Sequence, residues 1–307
     1  MNINQYWCNN APMDNWDDYR FLLALDREGT VRGAAKLLGV THSTVSRRLA
    51  IINGRYEKSV LERVAGGYRK TDFGKKLIAA ALQMEAINFA ADRKRRAAEI
   101  DLAGPITLSI PDVLGQYLLL DDLSEFCKKY PDIRLSIQSN NQFADLDKSE
   151  ADVVVRGTKK PPEHFVGRRL FPYALSFYCH VDYLKNTKLT DLRWVVGLSG
   201  VPRPTWIEES PFPDAKTGLI SDNIAFHYQA AVDGRGMIRN ACYICDPDPR
   251  LMRLPGAPSP VPIPDFWVLT HPDLKNTPRI QLLMRFLVTA LKAKRDLIEG
   301  NFNPDRN

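Results

Sequence analysis

From Trp16 to Glu28 the apolar residues Trp16, Tyr19, Leu22, Leu23 and Ala24 recur at helical spacing, and Gly29 stands where a left-handed cap ends a helix. Thr30 is placed to cap a second, short helix through Leu38, in which Ala34 and Ala35 are small enough to let another helix approach. Gly39 marks the next turn, and Thr41 caps a third helix. Along that helix Val45, Leu49, Ile52 and Tyr56 fall in one narrow stripe, while Ser43, Ser46, Arg47 and Ala50 project from the opposite side. One face predicts core, the other a reading surface. Val60 and Leu61, the turn Ala65-Gly66-Gly67 and the return Tyr68-Arg69-Lys70-Thr71 predict a small hairpin carrying basic residues.

No proline interrupts the chain from Phe73 to about Leu102, where Leu77, Ala80 or Ala81, Met84, Ile87 and Ala91 form a seam near a 3.5-residue repeat. A helix of that length, unusual inside a globular domain, favours pairing with a partner chain. The cluster Arg93-Lys94-Arg95-Arg96 reads as its solvated face. Gly104-Pro105 breaks the helix, and strands and helices then alternate: Ile106–Ile110, a helix through Tyr130, Ile133–Ile137, then Val153-Val154-Val155 behind Asp152. Further on, Trp194–Leu198 and Gly218–Ile220 are strand-like, Ile224–Val232 is helical, and a final helix runs from about Pro278 to Glu299. Tyr173–Tyr178 carries the chain between two lobes and Phe266–Leu269 returns it. Such paired α/β lobes bind small molecules in the crevice at the carboxyl ends of their strands.

Charge sharpens this picture. The whole chain of 307 residues carries a formal +6, but residues 32–76 hold eleven Lys and Arg against three acids, or +8, so the remainder nets about -2. A neutral body with one basic lobe is the footprint of a nucleic-acid-binding module joined to a larger domain. The second and third helices, joined by a glycine-centred turn, have the helix-turn-helix arrangement for entering a major groove. The hydroxyls of Ser43, Thr44 and Ser46 and the imidazole of His42 suit base edges or phosphates, and Arg47 suits a guanine or a phosphate. With 44% hydrophobic and 25% charged residues the composition is that of a globular protein. The start lacks a secretory pattern and no window reads as a membrane span, so a cytoplasmic protein without a membrane partner is expected. Five scattered cysteines predict reduced thiols.

Catalytic motifs fail on inspection. Gly197-Leu198-Ser199-Gly200-Val201 is not a nucleophile elbow, Gly234-Arg235-Gly236 lacks the third glycine of a dinucleotide loop, and there is no phosphate-binding Walker loop. The five histidines fall in no zinc-binding spacing, and Cys242-Tyr243-Ile244-Cys245 follows a helix and turn instead of opening a βαβ unit. No enzyme activity, catalytic residue, metal or cofactor is expected. The alternative is an α/β solute-binding or enzymatic protein whose basic N-terminal module binds protein or RNA.

One run of residues carries a resemblance. Ala34-Ala35-x-x-Leu38-Gly39-Val40-Thr41-x-x-x-Val45-Ser46-Arg47-Arg48-Leu49, followed by Leu61-Glu62-Arg63, Gly67-Tyr68-Arg69 and Thr71-Asp72-x-Gly74, resembles the winged helix-turn-helix of LysR-type transcriptional regulators. Tyr130-Pro131-x-Ile133, Ala151-Asp152-Val153-Val154-Val155-Arg156, Gly234-x-Gly236 and Leu269-Thr270-His271-Pro272 resemble, more loosely, the family's effector-binding domain. The resemblance implies an α/β protein with three parts. These are a winged helix-turn-helix domain (14–74), a linker and dimerisation helix (75–103), and a two-lobed effector domain (104–300) of the periplasmic-binding-protein kind. Lobe one spans about 104–172 and 267–300, and lobe two about 173–266.

It further implies a ligand-responsive regulator of double-stranded DNA that forms a homodimer or homotetramer through the linker helix. The DNA-contacting positions would be Thr41, His42, Ser43, Thr44, Ser46, Arg47 and Arg48, with Arg63, Tyr68, Arg69 and Lys70 on the wing. Carried over by position, a polar or anionic small-molecule effector would meet Ser109, Pro111, Asp112, Ser139, Asn140, Ser199, Gly200, Asp222 and Asn223. The chain departs from the family at Asn53, Glu57, Leu61 and Lys70, where Glu, Gly, Phe and Leu are usual. Those departures predict a weakened turn between recognition helix and wing.

Overall fold

The computed structural model describes residues 16–98, 101–139, 145–198 and 203–301. Asn140, Ser199 and Gly200, named above for the crevice, lie outside the described residues. The chain divides into two compact units between Asp92 and Arg93.

The first unit opens with α1 (Trp16–Glu28), α2 (Val31–Leu38) and α3 (His42–Tyr56). Their boundaries are set by local chemistry. Gly29 and Gly39 adopt positive φ, of 64° and 66°, which glycine takes without the clash of a β-carbon. The Thr30 and Thr41 hydroxyl oxygens accept the first free helix N–H groups, from Gly33 at 3.0 Å and Thr44 at 3.2 Å. The hairpin β1 (Leu61–Val64) and β2 (Gly67–Lys70) pairs antiparallel, with Glu62 opposite Arg69. Leu22, Ala34, Val45, Ile52 and Val60 are fully buried in one core with Ile78 and Ala81 from α4 (Asp72–Ala97). Leu77 and Ala81 of the expected pairing seam are therefore spent inside this unit. Met84, Ile87 and Ala91 remain exposed.

The linker helix ends at Ala97, short of the expected Leu102. Its basic end is solvated only at Lys94 and Arg95: Arg93 is 5% exposed and donates to the Asp273 carboxylate at 3.2 Å and to the Asp147 carbonyl, and Arg96 pairs with buried Asp152. Charges spaced three apart on one helix side have been drawn into acidic sites of the second unit, and Ala97 packs on that unit's core.

In the second unit, β3 (Gly104–Ile110), α5 (Asp112–Tyr117), α6 (Leu120–Lys129), β4 (Ile133–Ser139) and β5 (Val153–Gly157) come first. A long β6 (Val166–His180) leads to α7 (Tyr183–Asn186), β7 (Arg193–Gly197), β8 (Lys216–Ser221), α8 (Ile224–Val232), β9 (Ile238–Ala241), α9 (Cys242–Cys245) and β10 (Leu251–Arg253). The return runs through β11 (Val261–Thr270), α10 (Pro278–Ala293) and α11 (Arg295–Ile298). The main sheet has the order β10-β6-β11-β5-β3-β4, with β9 also on β6, and β7 pairs parallel with β8 in a small second sheet. β3 is parallel to β4 and β5, whereas β11 is antiparallel to β5 and β6. The crossing strands expected at Tyr173–Tyr178 and Phe266–Leu269 are thus segments of β6 and β11, paired from Val166 opposite Thr270 to Leu175 opposite Val261. Their register shifts on either side of Asp265, where bulging re-aims the chain between the two groups of strands. The expected final helix is broken at Lys294, and the expected helix through Tyr130 is two helices.

Candidate functional site

The exposed face of α3 is built from the core outward. Ala34, with no exposed surface, lets α2 lie close to α3, so that Val45, Leu49 and Ile52 turn inward and His42, Ser43, Ser46, Arg47 and Ala50 face solvent. Arg47 makes no ion pair among the described residues, so its planar donor fork is free to meet an acceptor. Thr41 is occupied as the helix cap, its oxygen also 2.9 Å from the Ser43 hydroxyl and 2.7 Å from that of Thr44. Thr44 is half-buried.

Arg48 is turned the other way. It pairs with Asp18 on α1, a carboxylate with no exposed surface, which also accepts from Arg55 at 2.7 Å. The expected DNA contact from Arg48 therefore gives way to a structural pin between α1 and α3. A buried carboxylate left without these two partners would be costly, and that cost fixes the helix orientation. The apolar periodicity of α1 gave no hint of Asp18.

On the hairpin, Arg63 and Arg69 are exposed, and Arg69 meets Glu62 at 3.1 Å in a surface pair that solvent screens. Lys70, where the family buries an apolar residue, reaches Asp26 at 2.8 Å and stays partly exposed. Tyr68 is half-buried against the core, and its N–H donates to the Gly29 carbonyl at 2.9 Å, seating the wing on the α1–α2 turn. The junction expected to be weak is intact. Asn53 accepts from the Val60 N–H at 2.9 Å, Glu57 takes the left-handed conformation at φ 51°, and Leu61 is buried. The Thr71 oxygen accepts from Gly74 N–H at 2.9 Å, and a β-carbon at Gly74 would run into the Val60 carbonyl.

In the second unit, β3 and β5 end side by side. Ser109 is fully buried, and its hydroxyl accepts from Arg156 at 3.1 Å, so it lies beneath the crevice instead of lining it. Arg156, on β5, is 5% exposed; burial pushes its pKa down to about 10, while the Asp112 carboxylate favours its charged form. Asp112 and Pro111 are half-buried at the start of α5. Ser139 is exposed at the end of β4, its register partner being Ile110. Asp222 and Asn223 are exposed at the start of α8, where Asn223 caps the helix by accepting from Phe226 N–H at 3.0 Å. Since α5 packs against α8, the ends of the two lobes face one another here. Arg203 donates to the Ala215 carbonyl at 3.2 Å and to that of Pro213.

Sequence reasoning missed the aromatic part of this region. Tyr117 and Tyr228, 4.8 Å apart between ring centres, border with Tyr243 a hollow of about 350 Å³. Isolated tyrosines at irregular spacing carry no periodic signal. Cys242 and Cys245 are buried in α9, and burial pushes the first thiol up to about 11 and the second well above its ordinary value, which keeps both protonated. Among the described residues no group of His, Cys, Asp and Glu has a metal-holding arrangement, and no helix is long and apolar enough to cross a membrane.

Comparison with known proteins agrees with this layout. Residues 16–75 match the family model for bacterial regulatory helix-turn-helix proteins of the lysR family, and residues 100–292 match the LysR substrate binding domain. The chain is 28% identical over 160 residues to the Mau operon transcriptional activator of Paracoccus denitrificans, covering 51% of this chain and 55% of that protein. It is 26% identical over 143 residues to the AhcY transcriptional activator HvrB of Rhodobacter capsulatus, covering 45% and 46%. The chain spans about half the length of the curated relatives it matches. Among solved structures, CrgA, a LysR-type transcriptional regulator from Neisseria meningitidis, shares 19% identity with a TM-score of 0.55 over 90% of this chain and 99% of that one. The Vibrio cholerae virulence activator AphB shares 16% with a TM-score of 0.59 over the same shares, a likeness of fold. The substrate-binding-domain match alone takes in more than half of the residues, and the chain belongs to the LysR family of bacterial regulatory helix-turn-helix proteins.

Proposed function

We propose that this protein is a sequence-specific, ligand-responsive transcription regulator that acts on double-stranded DNA in the cytoplasm. The observation that carries the reading is the exposed face of α3, where His42, Ser43, Ser46 and Arg47 face solvent on a helix pinned at its back, within a segment of charge +8. Those four residues read base edges, and Arg63, Arg69 and Lys70 grip phosphates beside them. Two copies pair through α4, whose Leu82, Met84 and Ile87 are 45%, 38% and 69% exposed in one chain. Two reading helices then meet two half-sites.

The second unit takes a small polar metabolite at the Asp112–Arg156 end of the strands. A buried guanidinium beside a carboxylate suits a ligand with groups of both signs better than a dianion. The protein has no catalytic role in this reading. Selection from random duplexes tests it: the wild-type chain enriches one partly palindromic sequence, and Arg47→Ala loses that enrichment. Enrichment of nothing by the wild type, or of the same sequence equally by the variant, overturns the assignment.

A further inference from the structure

None of the crevice residues lines a second concavity of this unit. That groove, of about 910 Å³, runs between the first residues of β6 and the outer face of α10, and its size is that of a small-molecule site. Arg168 and Arg169 border it from the strand, and Lys275, Arg285 and Lys292 from the helix side. No Asp or Glu is among the described lining residues. Arg169 is neutralised by Asp265, but Arg168, Lys275, Arg285 and Lys292 have no carboxylate partner among the described residues. Cations gathered around one concavity repel one another, and a ligand bringing the missing negative charge removes that repulsion.

The floor narrows the ligand's chemistry. Leu170, Met284 and Val288 are half-buried there, with Met284 and Val288 one helical turn apart and Arg285 beside them. An apolar floor adds nothing to a phosphate ribbon, which would also be held off by the concave shape. It does hold the body of a small amphipathic molecule. We propose that this groove is a second ligand site, independent of the Asp112 crevice, for an organic anion with at least two negative groups on an apolar body. The guanidinium groups of Arg168 and Arg285 take its carboxylates in paired hydrogen bonds, and the body lies on Met284 and Val288. The opposite face of α10 is anchored in the core by Leu283, Leu287 and Leu291, while β6 continues to His180 beside β9 and β10. A ligand clamped between them therefore acts on the strand that joins the two lobes.

Phthalate, an aromatic dicarboxylate, serves as the probe in isothermal titration and thermal-shift measurements on the full-length chain. The expected result is saturable binding at one site per chain, weakened about tenfold or more by Arg168→Ala or Arg285→Ala, both exposed positions whose replacement leaves the unliganded melting temperature unchanged. Ser139→Trp, which fills the crevice end of β4, leaves phthalate binding unchanged, and benzoate binds about tenfold more weakly than phthalate. No binding below about 10 mM, loss on Ser139→Trp alone, or equal binding by Arg285→Ala overturns the proposal. Inorganic pyrophosphate binding as tightly as phthalate overturns the ligand class, because it makes no use of the floor. Reduced duplex affinity in Arg285→Ala without phthalate binding reassigns the groove to nucleic acid.

Discussion

Glu57 shows how a single residue can be wrong for its backbone and still hold the fold. It ends α3 at φ 51°, a conformation that costs a side chain roughly 1 kcal/mol relative to glycine. Glu57→Gly is expected to raise stability by about 1 kcal/mol, read as a higher urea midpoint with unchanged slope. Asp18→Ala is expected to lower it by about 2 kcal/mol, below the usual figure for a broken buried pair because Arg48 and Arg55 are partly exposed. An unchanged midpoint would show that the two arginines do not depend on that carboxylate.

At His271, a neutral ring is built into the fold: Nδ1 accepts from the Asp273 N–H at 3.1 Å, and Nε2 faces Asp147 at 3.2 Å, which His164 also meets at 2.9 Å. Burial, and then the Arg93 guanidinium, push its pKa below the ordinary 6.5 against the pull of Asp273 and Asp147. Because the folded pKa is the lower one, this contribution is complete above pH 6.5 and is lost below it, where the unfolded chain binds the proton first. The melting temperature should fall between about pH 7 and 5, and less so in His271→Asn. A variant with the wild-type profile contradicts this.

Among the elements, the three N-terminal helices and the hairpin were legible because each boundary has its own local signal: a threonine cap, a glycine with positive φ, an apolar stripe. The division of labour along α3 was only half legible. Ser46 and Arg47 do face outward, but no spacing rule shows that the next arginine finds an acid 30 residues back in sequence. Ser46→Ala and Arg47→Ala should each cost specific binding about 1–3 kcal/mol. Arg69→Ala should weaken all sequences alike and flatten the salt slope by about one unit, whereas Arg48→Ala should lower the melting temperature as well as binding. Electrophoretic mobility shifts on specific and random duplexes, with melting curves beside them, separate the three behaviours.

The second unit was less legible. Its first strands and the crossing pair stood out as β-branched or aromatic runs, but β9 and β10 are short strands that exist only through pairing with β6. Lys294 breaks the last helix without a glycine or proline. The end of α4 was misread because a basic cluster looks solvated until its acids, Asp152 and Asp273, are placed beside it by the fold.

At the scale of the whole molecule, the account rests on two copies presenting two reading helices to one duplex. In the proposed pair the exposed Met84, Ile87 and Ala91 on α4 would supply the apolar surface, since Ile78 and Ala81 are already used within the chain. A ligand in the second unit changes DNA affinity only if it prefers one arrangement of the pair, and a coupling of about 1–3 kcal/mol would alter binding several-fold. Footprinting of the full-length chain on its selected duplex at several salt concentrations tests the central claim most directly. The account predicts two protected half-sites, centred one helical turn or a multiple apart, occupied together, with log affinity falling steeply as log salt rises. A salt-independent complex, or one protected half-site held by a single chain, would contradict it.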